Sequence, residues 1–297
     1  MRRVPGGREP GTVRPVDADR PTPTTEEREG LERRAWLHGD EVDLDLGVAE
    51  VARWVAESTR IVALTGAGIS TDSGISDFRG KNGVWTRNPA AEKASTLDHY
   101  LSSTEVRAAA WRMRLASPAW AAEPNPGHGA LVDLEQQGRL RAVVTQNTDG
   151  LQQIAGSDPR RVIEMHGTMR RVHCIDCGDE ADMRRALDRV EAGETDPPCR
   201  TCGGILKSST VLFGEGLDPA DIDAAEAAAR DCDLMLAVGS TLAVYPVVLL
   251  PTIALRRGAR LVIVNGRPTE QDELADAVLR GSISSILTTL VPGESAA

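Results

Sequence analysis

Four cysteines, Cys174, Cys177, Cys199 and Cys202, form two Cys-x2-Cys knuckles on either side of residues 178–198. Each knuckle brings two thiolates to one point, and two knuckles complete a tetrahedral Zn2+ site with every position filled. A closed site of that kind leaves no place for a reacting water, so the expected metal is structural. A pair of disulfides is the alternative, and it does not suit a reducing compartment. Cys232, the fifth cysteine, precedes an apolar run and reads as a core residue.

A second cluster of chemistry lies in residues 61–80. The apolar run Ile61–Leu64 empties into Gly66-Ala67-Gly68-Ile69-Ser70, as a buried strand does when it opens into a phosphate-binding turn. Gly66 and Gly68 lack a Cβ, which lets the backbone turn tightly and its N–H groups approach a pyrophosphate. The dinucleotide fingerprint needs a third glycine at position 71, where Thr71 stands, and no ribose-reading acid follows about 20 residues on. A dehydrogenase is therefore disfavoured. Asp77-Phe78-Arg79 follow instead, an acid, a ring and a guanidinium at the mouth of the loop.

His166 closes a short apolar run and precedes Gly167, and an imidazole with a near-neutral pKa suits a general base. His38, His99, His128 and His173 read as structural. Ser70 reads as a cap or a phosphate ligand rather than a nucleophile. Neither a Gly-x-Ser-x-Gly elbow nor a His-Glu-x-x-His motif is present, which argues against serine and zinc hydrolases.

The elements that must position these groups follow from periodicity. Val48, Val51, Ala52 and Val55 fall at helical spacing and predict a helix ending near Ser58. Residues 85–121 read as helical, with Trp85, Trp111 and Trp120 as packing anchors. Asn125 is an N-cap before Pro126, opening a helix through Gln136. Apolar runs at 61–64, 142–144, 162–165, 234–238 and 261–264 read as buried strands, and Pro219–Arg230 as an intervening helix. Alternating strands and helices predict an α/β fold with a doubly wound, Rossmann-like parallel sheet. Each strand is followed by a polar cluster: the glycine loop, then Thr145-Gln146-Asn147-Thr148-Asp149, His166-Gly167, Gly239-Ser240-Thr241 and Asn265-Gly266-Arg267. In an open parallel sheet these strand ends converge on one cleft.

The predicted organisation is a disordered tail over 1–44 and a Rossmann-like domain over 45–84, 122–167 and 207–297. A helical insert over 85–121 and a zinc-binding module over 168–206 complete it. A chain of 297 residues can bury a full core, and its net charge of -10 argues against nucleic acid while suiting basic peptides. No apolar run approaches the length of a membrane span, and the amino terminus lacks the features of a leader. The expectation is a cytoplasmic monomer.

Taken in order, Gly66-Ala67-Gly68-Ile69-Ser70, Asp77-Phe78-Arg79-Gly80, Thr145–Asp149, His166-Gly167, the four cysteines, Gly239-Ser240-Thr241 and Asn265 resemble the sirtuins over residues 45–290. Sirtuins are NAD-dependent protein-lysine deacylases. The Gln-Asn-Thr-Asp-Gly-Leu, Asn-Pro-Gly-His and Leu-Phe-Gly-Glu segments look most like class II. The resemblance implies NAD as co-substrate, with its pyrophosphate on Ala67, Gly68 and the following helix terminus. Asp149 is then implied to hold the nicotinamide carboxamide, Asn147 the ribose or a water, and Phe78 to shield the reacting carbon. Gly66, Ile69, Ser70, Asp77, Arg79, Trp85, Gln146, Thr148, Gly239, Thr241, Gly266 and Arg267 complete the implied cofactor contacts. Ser240 and Asn265 are placed on the adenosine side, with the backbone near Ile283 against the adenine.

In the implied reaction the acyl-lysine oxygen attacks the ribose carbon and nicotinamide leaves. His166 then takes a proton from a ribose hydroxyl, and water completes the release of lysine and O-acyl-ADP-ribose. The peptide is implied to lie as an added strand between Phe213-Gly214-Glu215 and Val244-Tyr245. Two departures stand out: Ser76 replaces a proline, and Ser208-Ser209-Thr210 replaces a Pro-Asp-Val-like run that touches substrate. Desuccinylating sirtuins carry Tyr-x-x-Arg in the insert. Here Trp111-Arg112-Met113-Arg114 stands nearest, without the tyrosine, so an acidic-acyl preference is not the expectation. The competing readings are a protein mono-ADP-ribosyltransferase and a non-catalytic NAD-sensing zinc-ribbon interaction module.

Overall fold

The computed structural model describes residues 44–77, 83 and 95–293. The tail expected over 1–44, apart from Leu44, lies outside these residues, as do Phe78, Arg79 and Trp85.

Six parallel strands form one sheet: β1 (Ile61–Thr65), β2 (Leu140–Thr145), β3 (Val162–Glu164), β7 (Leu234–Val238), β8 (Arg260–Val264) and β9 (Ala277–Leu279). Their spatial order is β3-β2-β1-β7-β8-β9. All five residues of β1 and of β7 are buried, which is why these runs show no polar alternation. One face is covered by α1 (Leu44–Glu57), α4 (Pro126–Gln136) and α9 (Ile283–Leu290), through a core that includes Val51, Leu131, Leu134 and Leu287. The other face is covered by α7 (Pro219–Asp231) and α8 (Leu250–Arg256), through Ala225, Ala229, Leu250 and Ala254. The chain builds outward from β1 in one direction, then returns and builds outward in the other. The reversal leaves a crevice at the carboxyl end of β1.

Helix α4 starts as its sequence requires. The Asn125 side chain accepts from the Gly127 N–H at 2.9 Å, Pro126 occupies the first turn, and His128 Nδ1 accepts from the Asn125 N–H.

A second, antiparallel sheet holds β4 (Gly167–Cys174) between β5 (Glu180–Asp182) and β6 (Leu206–Thr210). Helix α6 (Met183–Glu191) packs on it, together with α2 (Leu97–Ser102) and α3 (Thr104–Leu115) of the insert. Trp111, Val172, Met183, Leu187 and Leu206 share one core with Cys174 and Cys199. A half-buried ion pair, Arg107 Nε to Asp196 Oδ2 at 2.8 Å, ties α3 to the cysteine module.

The described part of 85–121 is broken rather than continuous. Ser103 ends α2 and caps α3 by accepting from the Val106 N–H. The sequence reading missed β4, β5, β6 and β9 and helices α6, α8 and α9. β5 and β9 have three residues each, too short for any period to register. Helix α6 carries only a narrow apolar stripe (Met183, Ala186 and Leu187) in polar surroundings.

Candidate active site

A cavity of about 850 Å³ opens at the carboxyl ends of β1, β2, β7 and β8, within the size range of a cofactor cleft. Gly66, Ala67 and Gly68 line it from β1, Gln146, Asn147 and Thr148 from β2, and His166 from the turn into β4. Gly239, Ser240 and Thr241 follow β7, Asn265, Gly266 and Arg267 follow β8, and Ile283 stands at the start of α9. Asp77 also lines the cavity. Five strand ends widely spaced in sequence therefore meet in one space.

The glycines serve a different contact from the one their spacing suggests. A Cβ on Gly66 would meet the Gly239 oxygen at 2.8 Å, and one on Gly68 would meet Gly239 Cα at 2.6 Å. The close approach they permit is to the backbone after β7. The Gly66 N–H donates to Val238 and the Gly68 N–H to Gly239. The Gly66 and Gly68 N–H groups, expected to approach a pyrophosphate, are thus committed inside the protein. Similarly, Gly167 (φ 67°) makes room for Ser209, whose oxygen would lie 1.9 Å from a Cβ there.

The His166 ring is poised as a base. Its Nδ1 lies 3.0 Å from the Gln146 carbonyl oxygen, which can only accept, so Nδ1 carries the proton and Nε2 keeps the lone pair. Burial pushes the imidazole below its usual value, against the opposing pull of that carbonyl. Asn147 Nδ2 donates to the Gly66 carbonyl at 3.2 Å and to Ser70 Oγ at 3.1 Å, which leaves Oδ1 as its acceptor. Gln146 Nε2 donates to Ser240 Oγ at 2.7 Å and joins the β2 and β7 loops.

Among the described residues, three of those expected to bind cofactor do not line the cavity. Ile69 is buried in the core of the sheet. Ser70 is buried, and its hydroxyl donates to Asp149 Oδ2 at 2.8 Å rather than facing a phosphate. Asp149 is buried behind the wall, its Oδ1 accepting from the Leu151 N–H. It borders a second, water-sized cleft of about 10 Å³ with His128, Asn147 and Glu164. All three were expected from the family resemblance, and in this structure their side chains lie outside the main cavity.

On the opposite wall, Phe213, Gly214, Glu215, Val244 and Tyr245 line the cavity. The Phe213 N–H donates to Ser95 and its carbonyl accepts from the Leu97 N–H, so the insert already pairs with the main chain there. Lys207, fully buried, donates to the Ser208 and Thr210 carbonyls and pairs with Glu215 at 3.0 Å. Desolvation pushes its ammonium below the usual lysine value, and Glu215 pulls it back. Of the Ser208-Ser209-Thr210 run, only Thr210 reaches the cavity; Ser208 is buried and Ser209 Oγ meets His173 Nδ1.

Arg114 also lines the cavity, whereas its neighbour Arg112 is exposed. Its guanidinium sits 5.5 Å from the Trp111 ring and 5.8 Å from that of Tyr100. Burial lowers its pKa, and among the described residues no carboxylate forms a salt bridge with it. The Tyr100 ring beside it comes from α2, a contact no local spacing reveals.

The sulfurs of Cys174, Cys177, Cys199 and Cys202 all lie within 4.8 Å of one another, and none is in a disulfide. Cys174 and Cys202 sulfurs are 3.5 Å apart, and those of Cys177 and Cys199 3.8 Å. A tetrahedron of Zn–S bonds has edges of about 3.8 Å. The donor set fits structural zinc. Cys232 is buried, as expected, and desolvation pushes its thiol up to about 12.

The model of the Sir2 family matches residues 66–246. This chain belongs to the Sir2 family. An NAD-dependent protein deacetylase of Streptomyces coelicolor is 50% identical over 233 residues, covering 78% of this chain and 97% of that protein. One from Sulfolobus acidocaldarius is 42% identical over 82% of this chain and 93% of that protein. A solved Sir2 structure with deacetylated p53 peptide and 3′-O-acetyl ADP ribose superposes with a TM-score of 0.76 at 33% identity. It covers 82% of this chain and 96% of that one. Within this Sir2 chain, Asp72, Ser95, Leu212 and Ser282 also line the cavity without having been singled out. Asp72 lies in the 3-10 turn after β1 and Ser282 caps α9, and none of the four carries a motif of its own.

Proposed function

We propose that this Sir2 chain is an NAD-dependent protein-lysine deacylase that releases nicotinamide and O-acyl-ADP-ribose. The observation that carries the reading is that His166 and Asn147 line the same cavity as the glycine loop, on a ring whose Nε2 is held as an acceptor. The deacetylase relatives and the Sir2 complex with acetyl ADP ribose support it. NAD supplies an electrophilic ribose carbon and a leaving group. His166 accepts a proton from a hydroxyl brought near Nε2, and Asn147 Oδ1 orients a donor beside it. Ser70 and Asp149 hold Asn147 from behind. The acyl-lysine enters between the Phe213–Glu215 and Val244–Tyr245 walls, with main-chain pairing on the first wall limited to what the insert leaves.

The test is mass spectrometry of acyl-peptide, NAD and the full chain. One O-acyl-ADP-ribose for each deacylated peptide is the expected result. ADP-ribose attached to protein without deacylation would instead select the mono-ADP-ribosyltransferase reading.

Arg114 favours a finer reading: the site also accepts acyl groups that end in a carboxylate. A guanidinium stacked on two rings in the cavity wall is preorganised for a bidentate anion. A hydrogen bond to a charged group contributes about 1.5–3 kcal/mol, so Arg114→Ala should slow succinyl-peptide turnover roughly ten- to a hundredfold. Acetyl-peptide turnover should change by less than about threefold. Equal effects on both peptides would remove Arg114 from acyl selection.

A further inference from the structure

Arg170 has no part in the reading above, yet it holds the loop on which that reading depends. It lies on β4, beyond His166, and its Nε donates to the Asp149 carbonyl at 2.9 Å. Its side chain covers Gly150 closely: a Cβ there would meet Nε at 2.9 Å and Cδ at 3.3 Å. Gly150 has φ 72°, so the loop turns sharply beneath the arginine. One residue earlier, the Met169 N–H donates to the Thr148 carbonyl at 2.9 Å. Two successive residues of β4 thus grip successive carbonyls of the loop.

The other end of the arginine is anchored as well. Its guanidinium carbon sits 5.5 Å from the Trp120 ring, at the end of the helical insert. Among the described residues no carboxylate forms a salt bridge with Arg170. Its positive charge is directed at a carbonyl and a ring, not neutralised on the surface.

On the far side of the loop, the Asp149 carboxylate accepts from Ser70 Oγ, and Asn147 Nδ2 reaches the same hydroxyl. Asn147 and Thr148 face the cavity, Asp149 faces away, and Arg170 holds the backbone that sets this alternation.

Building on the proposed function, we infer that Arg170 is a positioning residue for the reaction. It fixes the Asn147–Gly150 loop so that the Asn147 amide and the Thr148 wall present one geometry to NAD. It touches neither substrate. Because a charge-assisted bond to a carbonyl is directional, losing it frees the loop to rotate while the sheet beneath remains intact. A small misplacement of a positioning loop is costly in rate and affinity.

The experiment compares the full-length wild type with Arg170→Gln and Arg170→Lys. Expected for Arg170→Gln is a rise of about tenfold in both the KM for NAD and the inhibition constant of nicotinamide. The KM for peptide should stay within about twofold, and the melting temperature within about 4 °C. Arg170→Lys, whose ammonium can reach the same carbonyl, should recover part of the loss. Unchanged constants for NAD and nicotinamide would overturn the inference. So would peptide and NAD constants that worsen together with a large fall in melting temperature, the mark of a merely structural role. NAD binding measured by calorimetry reads the same contrast without turnover. A wild type that binds NAD but forms no deacylated peptide overturns the proposed reaction alone. Equal NAD affinity in wild type and Arg170→Gln overturns the positioning role.

Discussion

His166→Ala should lower the turnover of acyl-peptide by about 10²- to 10⁴-fold, the usual contribution of a positioned general base. The ring lines the cavity, and the Gln146 carbonyl fixes its tautomer, so no other described side chain offers an equivalent lone pair at that place. The pH profile of the wild type gives the same group a second signature. A base works when unprotonated, and burial holds the imidazole pKa below the ordinary histidine value of about 6.5. The acid limb of the rate therefore falls below pH 6.5, and neutral solution keeps the enzyme fully competent. Nicotinamide and O-acyl-ADP-ribose release, followed against pH, measures both effects. Equal turnover by variant and wild type would remove His166 from the chemistry.

Removing zinc should have the larger effect on the fold. Structural zinc in small modules binds with about 10–16 kcal/mol, most of it coupled to folding. Here the cysteines share a core with Trp111, Met183 and Leu187, and Trp111 supports Arg114 on the cavity wall. The Tyr100 hydroxyl, bonded to the Leu206 carbonyl, and the Arg107–Asp196 pair join the same two parts. Chelation, or Cys199→Ser, is therefore expected to loosen the insert along with the module. The measurements are metal content, melting temperature and peptide KM. Loss of zinc should lower the melting temperature by about 10 °C or more and raise the peptide KM. NAD affinity should suffer less, because the six-stranded sheet has its own two cores. A metal-free chain with unaltered melting would sink the structural assignment.

The parallel sheet was legible because strands buried on both faces read as continuous apolar runs. β1 and β7 begin where their runs do, and α4 begins at its Asn125-Pro126 signal. The metal cluster was legible because two knuckles carry their spacing within a few residues. β9 and α6 were not, since three residues or a narrow stripe are too little pattern. The glycine loop was found for a reason that proved incomplete: its glycines admit the Gly239 backbone as well as space for a ligand.

By itself, then, the order of residues determined which chemical groups are present, which strands carry them, and that those strand ends must meet. All of that follows from local spacing and from the parallel-sheet rule. Folding alone decided which way each side chain faces. Asp149 and Ser70 turn behind the wall that Asn147 lines, Tyr100 comes from a separate helix to lie beneath Arg114, and Arg170 reaches across from β4 to hold Asp149. These contacts join residues distant in the chain through single hydrogen bonds and ring faces, and such contacts leave no period for a sequence to display.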